Sequence, residues 1–479
     1  MARLRSLSGF PEWLPAGRLV ERHVIDKLCQ VFRLHGFQEI ETRAVEPLDQ
    51  LLRKGETSQE VYLLRRLQDL EQGGVDSQTI DQRTLGLHFD LTVPLARYVL
   101  EHAGNLDFPF KRYQCQKVWR GERPQEGRFR EFYQADLDVI GQGDLPFHYE
   151  VELPLVMAEA LAALNVGEFR VLASNRKLAE GFAKGLGLPD ARQTLHWIDK
   201  ADKIGWAAVQ SGLEGAGLTA GQAAAMISLA EITQSDAAQL VTAVKSLAAA
   251  VGSGGALMEE GLTELAALLK AANARRLGML VADLKIARGL DYYTGSVYET
   301  VWLGHESIGS VCSGGRYDSL ASQGSQTYPG VGLAIGVSRL VSRIVADNLL
   351  IPERVSPAVV VVAVVSEAER EKSDAVATGL RARGIAAEVA PYAAKFGKQI
   401  KYADQRGVPF VWFPAPAGQD EPDQVKDIRS GLQTAATVDR WTPPPADLTI
   451  GLARPGGQLS EQGPGESTEF RDLGASADS

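Results

Sequence analysis

The sequence predicts an α+β protein of about three domains, a sheet-based core split by a helical insertion and followed by a small α/β domain. Three observations carry that prediction. Residues 85–140 alternate polar and apolar side chains for long stretches, as antiparallel strands do. Residues 176–278 lose their β-branched runs and fill with alanine at helical spacing, punctuated by glycine. Beyond residue 356, short apolar runs take turns with helical patterns, which is the signature of βαβ units. A chain of 479 residues has the length for this plan.

From Pro15 to His35, Val20, Val24, Leu28, Val31 and Phe32 recur at helical spacing, and Gly36 stops them. Phe37–Val45 alternates like a strand and ends at Pro47. His148–Leu164 returns to a helical pattern, and Phe169–Ala173 is strand-like. Inside the alanine-rich block, helices are expected at Ala223–Ile232, Ala237–Val251 and Leu262–Ala272. Strand character resumes at Leu280–Ile286 and Ser296–Leu303. In the last domain Ala358–Val365, Ala387–Ala390 and Phe410–Phe413 read as strands, with helices at Glu367–Arg383 and Lys398–Arg406. The expected boundaries are a core at 1–175 and 279–350, a helical insertion at 176–278, and an α/β domain at 356–450. Residues 451–479, rich in glycine, serine and acid, are expected to be disordered.

Charge and composition narrow the function. Lys and Arg total 50 against 60 Asp and Glu, a net charge of −10. A globally basic nucleic-acid binder is thereby excluded, whereas RNA gripped through a local basic patch is not. No run approaches the ~18–20 apolar residues of a membrane span, and Gly9 and Pro11 break the N-terminus before a signal-peptide core. Cys29, Cys115 and Cys312 are odd in number and far apart, giving neither a disulfide framework nor a metal knuckle. The seven histidines form no HExxH or HxxxH pair, so no protein-bound metal is expected. The expectation is a cytoplasmic protein of a reducing compartment.

The chemistry concentrates in Phe110–Ile140. Alternation puts Arg112, Gln114, Gln116 and Arg120 on one strand face, and Phe132, Gln134, Asp136 and Asp138 on one face of the next. Paired as a hairpin, they gather Arg120, Gln134 and Asp138 beside the Phe132 ring. That mixture suits a phosphate, an amino acid and a nucleobase together. A sheet with one solvated face gives the same alternation. Charge argues for the site, because Lys111, Arg112, Lys117, Arg120, Arg123, Arg128 and Arg130 meet only Glu122 and Glu126, an excess of +5 in an acidic chain. Three further stretches are weaker alone. Arg288-Gly-Leu-Asp-Tyr-Tyr293 supplies a carboxylate-binding fork and two phenols. Ser313-Gly-Gly-Arg-Tyr-Asp318 reads as a tight glycine turn with backbone approach. Gly330–Arg339 runs a small-residue strand into a helix with an arginine in its first turn, an anion seat. No GxxxxGK(S/T) phosphate loop is present, nor a GxGxxG after a strand. Any ATP site is therefore built from side chains on antiparallel strands.

Together, Arg120-Gly-Glu122 with Phe132, the glycine strand ending in Arg339, and Gly36-Phe37 with Glu46-Pro47 resemble the three motifs of class II aminoacyl-tRNA synthetases. Arg288–Tyr293 and Gly314-Gly-Arg-Tyr-Asp318 are similar to the two histidine-specific motifs of the histidyl-tRNA synthetases, and the likeness runs from about residue 10 to about 450. The resemblance implies an antiparallel catalytic sheet flanked by helices, a helical insertion, and a C-terminal α/β domain that binds the anticodon. It implies ATP-dependent activation of L-histidine, with Mg²⁺ on the phosphates, and transfer to histidine tRNA by a homodimer. Arg120 would contact the α-phosphate, Glu122 the adenine amino group, Phe132 the base and Arg339 the γ-phosphate. Asp90, Thr92 and Gln134 would hold the histidine α-amino group. Asp138 and Tyr293 would read the imidazole, with Tyr292 and Tyr317 in the same pocket. Arg288 would neutralise the carboxylate and α-phosphate, making Arg288 and Arg120 the catalytic candidates. Arg123 and Gln125 would meet the extra 5′ guanosine of histidine tRNA. Phe89-Asp-Leu-Thr92 and Asp138 are closer to the eukaryotic-like branch than to the common bacterial one, which tends to carry glutamate at both positions. Residues past 450 match nothing in the family.

In the last domain Lys395, Lys398, Lys401, Lys426 and Arg429 recur beside Phe396, Gln399 and Tyr402. The mixture suits unstacked RNA bases or a solvated helix face, and the resemblance favours RNA; neither DNA nor a membrane is an expected partner. The rival from another class is a non-catalytic, histidine-sensing regulatory subunit of ATP phosphoribosyltransferase. Such relatives usually lack the C-terminal domain and the catalytic arginine, and this chain keeps both. A synthetase-like RNA sensor would not be expected to retain Arg120, Glu122, Phe132 and Arg339 together.

Overall fold

The computed structural model describes residues 6–52, 60–67, 84–188, 190–275, 278–287, 292–323, 325–416 and 421–454. The described parts of residues 1–14 and 21–344 form one compact unit, and those of 15–20 and 345–479 a second. The expected disorder of 451–479 falls almost wholly outside the described residues.

In chain order the first unit contributes β1 (Gln38–Glu39), β2 (Val45–Pro47), β3 (Leu63–Leu64), β4 (Leu85–Leu87), β5 (Phe110–Trp119), β6 (Glu131–Ile140), β7 (Phe169–Asn175), β8 (Thr233–Gln234), β9 (Leu280–Asp283), β10 (Ser296–Trp302), β11 (Cys312–Gln323) and β12 (Gln326–Gly336). Among the described residues, nine of them make one sheet in the order β1-β5-β6-β12-β11-β10-β7-β9-β8. Its neighbours are antiparallel except β1 on β5 and β9 on β7. The Phe110–Ile140 hairpin forms as expected, with Arg112 opposite Asp138, Gln114 opposite Asp136 and Gln116 opposite Gln134. One face packs Tyr113, Ala135, Leu137 and Val139 into the core, where the Phe32 ring of the Pro15–Leu34 helix meets Tyr113 at 5.7 Å. The polar face is not solvated. None of Arg112, Gln114, Gln134, Asp136 and Asp138 exceeds 5% exposure.

Three local readings need correction. Within 85–140 the alternation does not hold throughout, because Thr92–His102 is a helix. Asp90 Oδ1 accepts the Val93 amide, Pro94 sits in the first turn where no amide donor is missed, and Val93, Ala96 and Val99 bury one side. Phe37–Val45 is not one strand: it holds the short β1 and the first residue of β2, which join different sheets. Between them the chain is tied to β5 by side chains, with Gln114 Nε2 donating to Thr42 Oγ1 at 2.9 Å and Gln116 Nε2 to the Thr42 carbonyl at 3.0 Å. Ser313–Asp318 is no turn; it runs through β11 between β10 and β12.

The alanine-rich block folds as helices that include Arg176–Gly185, Ala220–Ala230, Ala237–Val251 and Ala256–Arg275. Asn175 caps the first through the Lys177 amide at 2.9 Å, and Gly252 at φ +68° stops the third. A Cβ on Gly261 would lie 2.2 Å from the Leu178 nitrogen, so glycine is what lets the helices Arg176–Gly185 and Ala256–Arg275 touch backbone to backbone. The block also lends β8 to the sheet edge beside β9.

The second unit carries β13 (Ile351–Pro352), β14 (Val360–Val362), β15 (Ala387–Val389), β16 (Phe410–Phe413), β17 (Gln424–Asp427), β18 (Gln433–Ala435) and β19 (Leu452–Ala453). Its five-stranded sheet runs β15-β14-β16-β17-β18, parallel in the first three strands and antiparallel in the last two. The apolar run around β14 is buried on both faces: Val360 and Val362 meet Val376, Ala377 and Leu380 of the Arg370–Ala382 helix, while Val361 and Ala363 share a cluster with Ala403 of the Phe396–Gln405 helix. Strands β17 and β18 are polar and partly exposed, so no apolar pattern announces them. Among the described residues no helix is long and apolar enough to cross a membrane.

Candidate active site

Two adjoining cavities open on the polar face of the β5, β6, β12 and β11 sheet. The larger, of about 570 Å³, is lined by Arg120, Glu122, Phe132, Gln134 and Arg339 among others. The smaller, of about 230 Å³, is lined by Thr92, Asp138, Tyr292, Tyr293 and Tyr317. Both include Ser313 and Ala334, so they meet at the wall between β11 and β12.

Arg120 follows the last residue of β5 and is held from three sides. Its Nε donates to the Phe89 carbonyl at 2.9 Å, its Nη2 to Gln134 Oε1 at 3.1 Å, and its guanidinium carbon lies 5.1 Å from the Phe132 ring centre. Glu122 sits 3.6 Å from Arg120 and from Arg128. Arg339 enters from the first turn of the Val337–Ala346 helix, with Nε on the Gly127 carbonyl at 3.0 Å and Nη1 on that of Ser310. Two arginines, a carboxylate and an aromatic face around an open volume could hold phosphate and a flat heterocycle together.

The basic excess is smaller than the raw count. Lys111 pairs with Glu152 at 2.7 Å, Lys117 with Glu131 at 2.6 Å and Arg112 with Asp138 at 2.6 Å. The excess therefore falls on the cavity rim and the 121–130 loop, where Arg123 and Gln125 are exposed and Gln125 bridges to Arg128. Neither Arg123 nor Gln125 lines either of these two cavities.

At the floor of the smaller cavity, Tyr317 Oη donates to Asp138 Oδ1 at 2.6 Å. The Tyr292 and Tyr293 rings stand beside them with centres 4.1 Å apart. Burial pushes both the Tyr293 and Tyr317 phenols well above their ordinary range, with the Asp138 charge adding to it. A raised phenol keeps its proton as pH climbs, so both remain neutral donors. The expected pH profile of ligand binding in this cavity has no phenol step below about pH 10, and a profile of the Tyr317→Phe variant with the same shape would check this.

Of the residues expected at the site, Asp90 is placed otherwise. It is buried, it spends Oδ1 on the Val93 amide, and it lines neither cavity, whereas Thr92 does. Arg288 lies outside the described residues. In the second unit Lys395, Phe396, Lys398 and Lys401 are exposed along one helix, as an RNA-facing surface needs. Gln399 is not free to join them, because its amide is spent on the Val364 backbone and the Ala394 carbonyl. Arg429 is likewise occupied by Asp427 and Asp447. Sequence reasoning missed Ser310 altogether and gave no role to Ser313 and Ala334 within the stretches it singled out, because the only signal of such small residues is the space they leave.

A family model described as histidyl-tRNA synthetase matches residues 9–340, and one described as an anticodon binding domain matches residues 358–426. A relative from Bifidobacterium longum named histidine–tRNA ligase is 57% identical over 458 residues, 92% of this chain and 98% of the relative. One of the same name from Micrococcus luteus is 54% identical over 463 residues, covering 95% and 99%. The crystal structure of a histidyl-tRNA synthetase from a Nostoc species aligns with a TM-score of 0.76 at 33% identity, over 92% of this chain and 98% of that one.

Proposed function

The chain belongs to the histidyl-tRNA synthetase family, and from that premise we propose how its residues divide the work of a histidine–tRNA ligase. The enzyme activates histidine with ATP and passes it to tRNA; the regulatory-subunit alternative is not favoured. The observation that carries the division of labour is the pair of adjoining cavities, one with arginines and an aromatic face, the other with a carboxylate and phenols.

ATP occupies the larger cavity, with Phe132 on the adenine, Glu122 on its amino group, Arg120 on the α-phosphate and Arg339 on the γ-phosphate. Histidine occupies the smaller one, its imidazole between Asp138 and Tyr293, lined by Tyr292 and Tyr317, and its α-amino group near Thr92 and Gln134. The histidine carboxylate attacks the α-phosphorus, pyrophosphate leaves, and Arg120 with Arg288 stabilises the charge that develops. The ribose hydroxyl of tRNA then attacks the carbonyl carbon of the adenylate, the acyl–phosphate bond breaks, and AMP leaves with a phosphate oxygen taking the hydroxyl proton. Among the described residues Glu122 is the one carboxylate lining the larger cavity, and it is assigned to the adenine, so Mg²⁺ would enter on the ATP phosphates and would supply charge neutralisation there. Asp90 acts indirectly, by setting the start of the helix that carries Thr92. Arg123 and Gln125, on the exposed loop, meet the 5′ end of the tRNA, and residues 356–450 meet the anticodon through the face bearing Lys395, Phe396, Lys398 and Lys401. A cytoplasmic homodimer completes the reading.

The test is ATP–pyrophosphate exchange surveyed over all twenty amino acids. Exchange with histidine alone, lost in Arg288→Ala, is the expected result. Histidine binding without exchange would overturn the reading in favour of a regulatory protein.

A further inference from the structure

Behind the smaller cavity lies a charge that the proposed mechanism does not use. Arg112 is fully buried on β5, lines neither cavity, and stands directly across from Asp138 in the β5–β6 register. Its Nη2 is 2.6 Å from Asp138 Oδ2, and its hydrogen bond from Nη1 to Gln114 Oε1 is long at 3.4 Å. Neither Nε nor Nη2 makes a geometrically aligned hydrogen bond among the described residues, so the contact with Asp138 is a close ion pair, made by charge and not by hydrogen-bond alignment. A guanidinium carries five N–H donors, and burying it so poorly satisfied costs stability that an apolar side chain of the same volume would recover. Its hydrogen bonding therefore does not explain its place, whereas its charge does.

The Asp138 carboxylate is pinned on three sides. Arg112 holds Oδ2, Tyr317 holds Oδ1, and Gly332 on β12 leaves the space in which the carboxylate lies. A carboxylate buried to 2% exposure needs such a partner to remain an anion. Arginine cannot hand its proton over, so it neutralises the pair without ceasing to be a cation.

We propose that Arg112 is a positioning and specificity-determining residue for histidine: from behind the pocket it holds Asp138 as an ionised, oriented acceptor for a ring N–H of the imidazole. This rests on the assignment of the smaller cavity to histidine. Because the pair is neutral as a whole, the floor accepts a hydrogen bond without calling for a protonated ring. A side chain of the same shape but without an N–H gains nothing from it.

The test compares histidine with β-(2-thiazolyl)alanine, an isostere whose ring has a nitrogen but no N–H. In ATP–pyrophosphate exchange, Arg112→Met is expected to raise the histidine KM by about 30-fold while the inhibition constant of the isostere stays within about threefold. The ATP KM is expected to stay within about twofold, and Arg112→Lys, which keeps the charge, to recover most of the histidine KM. Equal losses for histidine and the isostere in a folded variant would make Arg112 merely structural and overturn the proposal. If Arg112→Met does not fold, Arg112→Gln is read by the same ratio. Absence of histidine-dependent exchange in the unaltered enzyme would instead remove the functional reading itself.

Discussion

Replacing Gly332 with alanine is expected to cut histidine activation by about 100-fold or more while the chain stays folded and ATP binding persists. The Cβ would lie 1.8 Å from Asp138 Oδ1 and 2.6 Å from its Cγ, far inside van der Waals contact. Something must move. The β12 backbone is bonded to β6 on one side and β11 on the other, so the carboxylate is the part that yields. It cannot rotate without leaving Arg112 or Tyr317, and the acceptor at the cavity floor is lost from its position. Overpacking of this kind costs about 1–3 kcal/mol, a tolerable loss for a unit of this size. Circular dichroism and thermal melting would establish the fold, and exchange kinetics would separate the histidine KM from the ATP KM. A loss of under about threefold in kcat/KM for histidine would show that Asp138 does not need its observed position.

Arg120→Ala is expected to have the largest effect on the chemical step, about 10³-fold in kcat/KM for exchange. Three interactions disappear together: the bond to the Phe89 carbonyl, the bond to Gln134 and the cation over Phe132. The first two tie the ATP side of the site to the segment leading into Thr92 and to the residue proposed for the α-amino group. Both substrates are therefore expected to suffer, unlike in Gly332→Ala. Arg120→Lys restores the charge but not the planar fork that engages Phe89, Gln134 and a phosphate at once, so it recovers little. Single-turnover adenylate formation is the direct readout. A loss below about tenfold would exclude Arg120 from the α-phosphate.

Much of the architecture is legible because it rests on local periodicity. The Pro15–Leu34 helix, the β5–β6 hairpin and the alternating pattern of the last domain all follow from side-chain spacing that each residue carries alone. Failures came where neighbours replace a pattern. Thr92–His102 sits among strands and owes its start to Asp90, and the link between β1 and β2 is held by glutamine side chains from β5. Strands β17 and β18 form by pairing onto an existing edge, which needs no apolar signature of its own.

The glycines mark the same division most sharply. Gly314 and Gly315 invite the reading of a turn and Gly330 and Gly332 that of a small-residue strand, yet all four lie inside β11 and β12. A Cβ on Gly330 would meet the Tyr317 ring at 2.4 Å, and one on Gly315 the Tyr293 ring at 2.9 Å. The sequence by itself determined which chemical groups the protein has and the hairpin that gathers most of them. Only the tertiary structure decided that Arg112 stands behind Asp138 and that Asp90 caps a helix. It also decided that the glycines are space for a carboxylate and two phenols, because that space depends on cross-strand register, which for Gly332 and Asp138 joins strands more than 150 residues apart in the chain.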